Sequence, residues 1–333
     1  MYELLGITLV LALLLTINAV ATMTAAGAWR VLKSVVWHCT ARTRAEILFV
    51  MRIGPPAIAL IAIVVFMIPS YLVYEPYATK EFVSFKLGAL ATISAVGVGL
   101  AIWRGLRSWL ATRSLLRKWL AAATPLQLSG IDVPTFRLPH SFPIIAVVGS
   151  LRPRLFIADH VLASLTAEEL TAAIAHEGGH LAAHDNLKRS LMRASRAALL
   201  IIPCGRSLDR AWAEASESAA DEFAARESST VALNLASALV RVARMIPSEP
   251  QPMPISAFLV GGEETRGVKA RVRRLVELAS SDKQLLDSSA PLVRLMPWIF
   301  LSLIVVVGIT IESRPQVLAV VHSAVEHVVS FLS

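Results

Sequence analysis

The feature that most constrains this chain is a long run without a single charged residue, from Leu4 to Ala28. A second uncharged run extends from Ile53 to Tyr74, and its Pro55-Pro56 pair is expected at the entrance of the helix, where proline is tolerated. Roughly 20 such residues allow a helix to cross a hydrocarbon core of about 30 Å. Shorter uncharged runs cover Leu87–Trp103 and Leu295–Ile311, which are also compatible with buried core helices. Charged residues make up only 17% of the chain, against about 25% in soluble domains. We therefore predict a multi-pass membrane protein with four spans.

The basic residues predict how the spans are oriented, because cytoplasmic loops are enriched in lysine and arginine. They concentrate after the first and the third run: Arg30, Lys33, Arg42, Arg44 and Arg52, then Arg104, Arg107, Arg113, Arg117 and Lys118. In the loop between the second and third runs, Lys80 and Lys86 are balanced by Glu75 and Glu81. We expect the N-terminus outside a bacterial inner membrane. The bilayer accounts for the net charge of +8, no recognition motif is present, and we expect no direct nucleic-acid binding.

Three regions follow from this topology. Residues 1–120 hold three transmembrane helices with basic cytoplasmic loops, residues 121–290 form a cytoplasmic domain, and residues 291–333 form the fourth span and a short external tail. Apolar residues recur at helical spacing in the tail Glu312–Ser333, so we expect it to lie on the membrane surface. Cys39 and Cys204 are far apart and have no metal-type spacing, which favours a structural or incidental role.

The cytoplasmic domain is expected to be mainly α with a small β-sheet. The segments DVPTFRL, FPIIAVVG and RPRLFIAD, within Leu126 to Asp159, are typical of short strands separated by turns. Thr166 and Glu169 then form a capping box, which starts a helix that continues past Leu181. Further helices are predicted over Asn186–Ile202, Ser207–Arg226, Thr230–Met245 and Thr265–Ala279.

The helix after Thr166 carries the sequence AHEGGH, in which His176 and His180 are one turn apart. Two imidazoles on one helix face can hold one zinc ion, while Glu177 is displaced and can reach a metal-bound water as general base. The alternative is the polar face of an ordinary helix. His184 is better explained as a partly exposed helix-end residue, because the third histidine of a metzincin would stand where this chain has Asn186.

A second pattern, ESAAD, supplies the third ligand that such a zinc site needs. Glu217 and Asp221 are four residues apart on a predicted helix, so Glu217 can ligate while Asp221 accepts a hydrogen bond from the far nitrogen of a ligating histidine. Glu214 is the alternative ligand. Asp185 either supports the site through a basic neighbour or caps the helix at Asn186. The sequence therefore predicts a Zn²⁺ site formed by His176, His180 and Glu217.

With these motifs, the stretch AVVGSLRPRLFIADHVLASLTAEELTAAIAHEGGHLAAHDNLKR resembles the BlaR/MecR-type membrane zinc metallopeptidases, and the likeness extends to ESAADEF and to RVRRL at Arg271–Leu275. The resemblance implies a gluzincin-type α+β metallopeptidase domain. It also implies that His176, His180 and Glu217 bind zinc, that Glu177 is the general base and that Asp221 supports the site. Members that sense β-lactams carry an external penicillin-binding domain with an S-x-x-K motif, which the tail lacks.

We expect a membrane-anchored zinc endopeptidase that cleaves a cytoplasmic protein, and the resemblance suggests a transcriptional repressor as that substrate. Two alternatives remain open. One is an HtpX-like quality-control protease that cuts damaged membrane proteins. The other is a non-proteolytic membrane receptor or scaffold with structural zinc, although a structural site needs no base such as Glu177.

Overall fold

The fold is described by a computed structural model that covers residues 2–76, 83–128, 132–140, 142–197, 205–245, 264–280 and 315–332, together with Ser302 and Val306. The first half contains α1 (Tyr2–Trp37), α2 (Ala41–Ile61), a π-helical turn (Ala62–Met67), α3 (Ile68–Tyr74) and α4 (Phe85–Ala122). The strands are β1 (Thr124–Leu126), β2 (Thr135–Leu138), β3 (Ile145–Val148) and β4 (Arg154–Ala158). The remaining helices are α5 (Asp159–Ser164), α6 (Ala167–Ala182), α7 (Asp185–Ala197), α8 (Gly205–Ala225), α9 (Ser229–Met245), α10 (Glu264–Ser280) and α11 (Pro315–Leu332).

Three helical segments of the described chain are long and apolar enough to cross a membrane: Tyr2–Trp37, Ala41–Tyr74 and Phe85–Ala122. They contain the first three predicted spans, and α1 packs against both α2 and α4. The predicted fourth span, Leu295–Ile311, lies outside the described residues apart from two isolated positions. The chain is thus mostly helical and is consistent with membrane association.

All three segments are longer than the uncharged runs predict, and packing explains the extension of two of them. Helix α4 continues past Trp103 to Ala122, because its last turns pack Leu116 and Trp119 against the core around the sheet. Helix α2 begins at Ala41, so that Pro55 and Pro56 lie inside the helix rather than at its entrance, where we expected them. The start of α2 is extended because Leu48 and its neighbours pack on α8.

We call this contact between α2 and α8 the junction. Its apolar part consists of Ala45, Leu48, Phe49, Met192, Leu208, Trp212 and Ala215. Buried ion pairs surround that cluster: Arg52 Nε lies 2.9 Å from Asp209 Oδ1, and Lys188 on α7 pairs with Glu46. The junction therefore attaches the apolar helices directly to the helix that carries the ESAAD pattern.

At the other end of the three-helix bundle, α11 packs against α3. The Ser70 hydroxyl donates a hydrogen bond of 2.9 Å to the Leu318 carbonyl, and the His322 ring stacks on Tyr74 with centroids 5.8 Å apart. Val325 packs on the cluster that contains Leu5. The tail was expected to lie on the membrane surface. One side of α11 contacts the bundle, where α3 offers both an apolar face and a hydroxyl donor. The position of the tail relative to a membrane stays a prediction.

The small sheet is confirmed, with strand order β1-β2-β4-β3. β2 and β4 are parallel, and the other two pairs are antiparallel. The sequence missed β1, a short strand that includes Pro125. β3 lies at one edge of the sheet, and its four residues Ile145–Val148 are all buried. The edge of β3 that faces away from β4 is therefore covered, and its contacts there include Glu177 and Asn186.

The domain helices follow the sequence closely. Thr166 and Glu169 form the predicted capping box at the start of α6, with both of its hydrogen bonds present. Helices α7 to α10 match the four further predicted helices, except that the end predicted for α7, at Ile202, lies outside the described residues. Helix α6 packs on α8 and α9, which places the HEGGH sequence beside ESAAD.

Candidate metal centre

Helix α6 presents two histidines to one point. The His176 and His180 rings are nearly perpendicular, at 89°, with centroids 4.9 Å apart. His176 has no exposed surface, whereas the side chain of His180 is 15% exposed. The capping box fixes the start of the helix, and the one-turn spacing then brings both rings to the same side.

Helix α8 adds Glu217 to the pair. Glu217 Oε2 is 3.7 Å from His176 Nε2, and Oε1 is 3.7 Å from His180 Nε2. One ligand atom from each of the three residues lies within 4.8 Å of the others. The two helices approach closely because Gly179 faces α8: a Cβ at this position would lie 2.9 Å from the Ala220 Cα. Glycine at this position therefore allows the two halves of the site to meet.

Two further carboxylates lie against the far nitrogens of the imidazoles. Asp185 Oδ2 is hydrogen-bonded to His180 Nδ1 at 2.7 Å. Asp221 Oδ1 lies 3.0 Å from His176 Nδ1, in an orientation that does not form a hydrogen bond. The Ser216 hydroxyl also donates to Asp185 Oδ2, at 2.6 Å. Each ring can thus keep its proton on Nδ1 and direct Nε2 toward Glu217, the arrangement that carboxylates impose on metal-binding histidines. Of the two roles considered for Asp185, the structure supports contact with the site, through a histidine rather than a basic neighbour.

Glu177 lies between the histidines and the edge strand. Its Oε2 accepts a hydrogen bond of 3.1 Å from the Val147 N–H of β3. The Val147 carbonyl accepts one of 2.8 Å from the Asn186 side chain. Burial raises the pKa of Glu177 despite the nearby histidines, which lower it. A carboxylate with a raised pKa binds a proton more readily near neutral pH, as a general base must.

Arg271 on α10 was not singled out as a site residue from the sequence, yet it reaches the centre. Its Nη2 and Nε donate to Asp221 at 2.7 and 2.9 Å, and its Nη1 lies 3.0 Å from Glu217 Oε2. No local spacing predicts this contact, because α10 is far from both motifs in the chain. Val147 was missed for the same reason. Ser216 and Asn186 lie beside the motifs, but they were missed because their partners, Asp185 and Val147, are on other elements.

The chemistry of the donors fits a bound metal ion. Two imidazoles and a carboxylate are common zinc ligands, and bonds of about 2.0–2.1 Å in a tetrahedron would separate them by roughly 3.3 Å, close to the 3.7 Å present here. Glu217 Oε2 is buried and makes no hydrogen bond with any described residue, although it forms an ion pair with Arg271 Nη1 at 3.0 Å. Burial alone would lower the pKa of His180, but Asp185 and Glu217 raise it to about 9. The same negative charges favour a bound cation.

The alternative ligands stay outside the group. Glu214 is exposed on α8, and the group of described residues that can hold a metal contains His176, His180 and Glu217. His184 is exposed, with a positive φ of 55°, where the chain turns from α6 into α7. Neither residue takes part in the geometry of the centre.

Comparison with known proteins adds no assignment: no protein-family model and no curated protein matches the chain. The function of this chain must therefore be inferred from the residues and geometry described above.

Proposed function

We propose that this protein is a membrane-anchored zinc-dependent endopeptidase. The observation that carries the proposal is the position of Glu177, a buried carboxylate beside a group of two histidines and a glutamate that can hold a metal. A purely structural site would gain nothing from an additional acid with a raised pKa. A zinc peptidase, which attacks the peptide bond with water, uses such a group to take a proton from that water.

The residues divide the work between holding the ion and moving a proton. His176, His180 and Glu217 would hold zinc, with Asp221 and Asp185 keeping the rings oriented. A bound zinc ion supplies Lewis-acid activation of water and of the substrate carbonyl. Glu177 accepts the proton from the attacking water on a carboxylate oxygen and passes it to the nitrogen of the leaving amine.

The edge strand β3 offers a place for the substrate backbone. Val147 directs its N–H to Glu177 and its carbonyl to Asn186, so neither group is used in pairing with β4. An extended peptide that exchanges these two bonds for its own would add a strand beside Glu177. Main-chain pairing would then position the scissile carbonyl next to the histidines.

The location and the substrate are further parts of the proposal. Basic residues lie at the end of α1, in the first part of α2 and along the end of α4. They favour a cytoplasmic domain on a bacterial inner membrane, with the N-terminus and the tail outside. The substrate would then be a cytoplasmic protein. The resemblance to BlaR/MecR-type enzymes suggests a regulatory role such as repressor cleavage.

A comparison of cells that carry the native chain or Glu177→Gln tests this function. Protein fragments are compared across the proteome, and zinc is quantified in both purified proteins. We expect fragments of at least one cytoplasmic protein only with the native chain, at equal zinc content. Equal fragment patterns under every stress applied would contradict the proposal and favour a zinc-containing receptor or scaffold.

A further inference from the structure

Arg271 contacts the metal centre directly, although no motif in the two ligand helices includes it. It occupies the middle of α10, and its side chain is 13% exposed. Two of its nitrogens bond both oxygens of Asp221, and a third lies 3.0 Å from Glu217 Oε2. Its Nη2 is 3.4 Å from His176 Nε2, the nitrogen that faces the other ligands. One guanidinium thus contacts three groups of the centre.

The charge balance of the centre explains why a cation is needed there. Four carboxylates interact with the two histidines: Glu177, Asp185, Glu217 and Asp221. The Asp221 side chain has no exposed surface, and two nitrogens of Arg271 bond its two oxygens. Glu217 is partly buried one turn away on α8, and the same guanidinium lies between the two acids. Without Arg271, the repulsion between Asp221 and Glu217 would lack this cation to offset it.

The shape of the guanidinium matters as well as its charge. A planar fork that donates two parallel hydrogen bonds fixes the plane of a carboxylate, whereas a lysine ammonium acts as a point charge. The plane of Asp221 determines where its Oδ1 meets His176 Nδ1, and so how the ring is turned. This geometric link runs from α10 through Asp221 to a ligand nitrogen.

We propose that Arg271 is a positioning residue of the metal centre, which fixes Asp221, and through it His176, while its charge holds Glu217 beside the histidines. The inference rests on the metal centre of the proposed function and names an additional residue on which that centre depends. It also makes metal binding sensitive to whether α10 is docked on α8. Arg274, one turn further along α10, pairs with Glu222 next to Asp221 and helps to dock it.

The test uses the full chain in detergent and cobalt(II) as the probe, because cobalt reports both affinity and ligand geometry through its visible absorption. The variants are Arg271→Lys and Arg271→Gln, and the matched control is Arg273→Gln on the same helix, where the side chain is 83% exposed. Affinity is measured by competition with a chelator. Thermal unfolding is recorded for each protein, so that only folded samples are compared.

We expect Arg271→Gln to weaken cobalt binding about 10- to 100-fold, the effect typical of residues that orient metal ligands. Arg271→Lys should fall between this variant and the native chain, and its cobalt spectrum at saturation should differ from the native one. Arg273→Gln should match the native chain in both respects. A purely structural role for Arg271 would change the melting temperature but leave the spectrum of the folded, saturated protein unchanged.

If Arg271→Gln does not fold, Arg271→Lys provides the comparison, since it keeps a positive charge beside Asp221 and Glu217 but lacks the planar fork. Native affinity and an unchanged spectrum in Arg271→Lys would overturn the role of Arg271 while leaving the metal centre in place. A native chain that takes up no cobalt would overturn the metal centre, and the role of Arg271 with it.

Discussion

Helix α8 contributes acids to two buried charge clusters, the metal centre around Glu217 and the junction with α2. At the junction, each of these acids has a basic partner: Asp209 meets Arg52, and Glu46 meets Lys188. At the metal centre, acids outnumber bases, and three possible ligand atoms converge on one point. Burying unmatched acids has a cost that a stable fold avoids unless something binds there. The comparison assigns the junction to stability and the metal centre to function.

Breaking the junction should give the largest change in stability. Arg52→Leu removes one member of the buried ion pair between Arg52 and Asp209, and such a loss typically costs about 3–5 kcal/mol of unfolding free energy. The double variant Arg52→Leu/Asp209→Leu should recover much of that loss. Thermal unfolding in detergent measures both. If zinc content per folded molecule falls in either variant, the separation between junction and metal centre is wrong.

Asp185→Asn should have the opposite profile. It weakens the hold on His180 Nδ1 and the bond from Ser216, so we expect zinc affinity to fall about 10- to 100-fold with a smaller change in stability. Chelator competition measures the affinity. Asp159→Asn, which changes an exposed acid paired with Arg137, is the control and should bind zinc as the native chain does. Equal affinity in the two variants would remove Asp185 from the account of the site.

The two glycines of HEGGH should respond differently to alanine. A Cβ at Gly179 would meet the Ala220 Cα at 2.9 Å, so α6 and α8 must separate, which we expect to cost about 1–3 kcal/mol and to weaken zinc binding. At Gly178 the nearest atom would be 3.7 Å away, and Gly178→Ala should stabilise the helix by about 0.5–1 kcal/mol. Thermal unfolding and zinc titration of both variants test this. Equal behaviour would contradict the close approach of the two helices.

The smallest expected effect concerns the start of α6. Burial would raise the pKa of Glu169, but bonds from Ser237, the Thr166 N–H and Arg241 lower it overall. A carboxyl whose pKa is depressed in the folded state stabilises the fold above its unfolded pKa, and this contribution is lost as the pH falls through the folded pKa. We expect about 1 kcal/mol, a typical value for a capping interaction.

Measuring unfolding free energy against pH for the native chain, Glu169→Gln and the exposed control Glu227→Gln tests this. The native chain and Glu227→Gln should lose stability in acid by similar amounts, and Glu169→Gln should lose less. An identical pH dependence in all three would show that the capping box contributes nothing through ionisation.

The same contrast shows what a sequence can reveal. The histidines and Glu177 depend on spacing within α6, Glu217 and Asp221 depend on spacing within α8, and the capping box predicts the start of α6. The roles of Arg271 and the Val147 edge depend on how distant segments pack. Both lie in segments that carry the family resemblance, but that resemblance gave neither a role in the site. The Pro55-Pro56 pair was misplaced because contacts with α8 extend α2 beyond its apolar run. Local chemistry was predictable, whereas support from distant elements required the fold.

The most direct test of the central claim is the metal content of the purified full chain, by elemental analysis, in three forms: native, Glu217→Gln and Glu214→Gln. The two substitutions are chemically identical and fall on the same helix, one at the centre and one exposed. We predict one zinc ion per chain in the native protein and in Glu214→Gln, and a large loss in Glu217→Gln. A native chain without stoichiometric metal, or equal metal in all three proteins, would contradict the account.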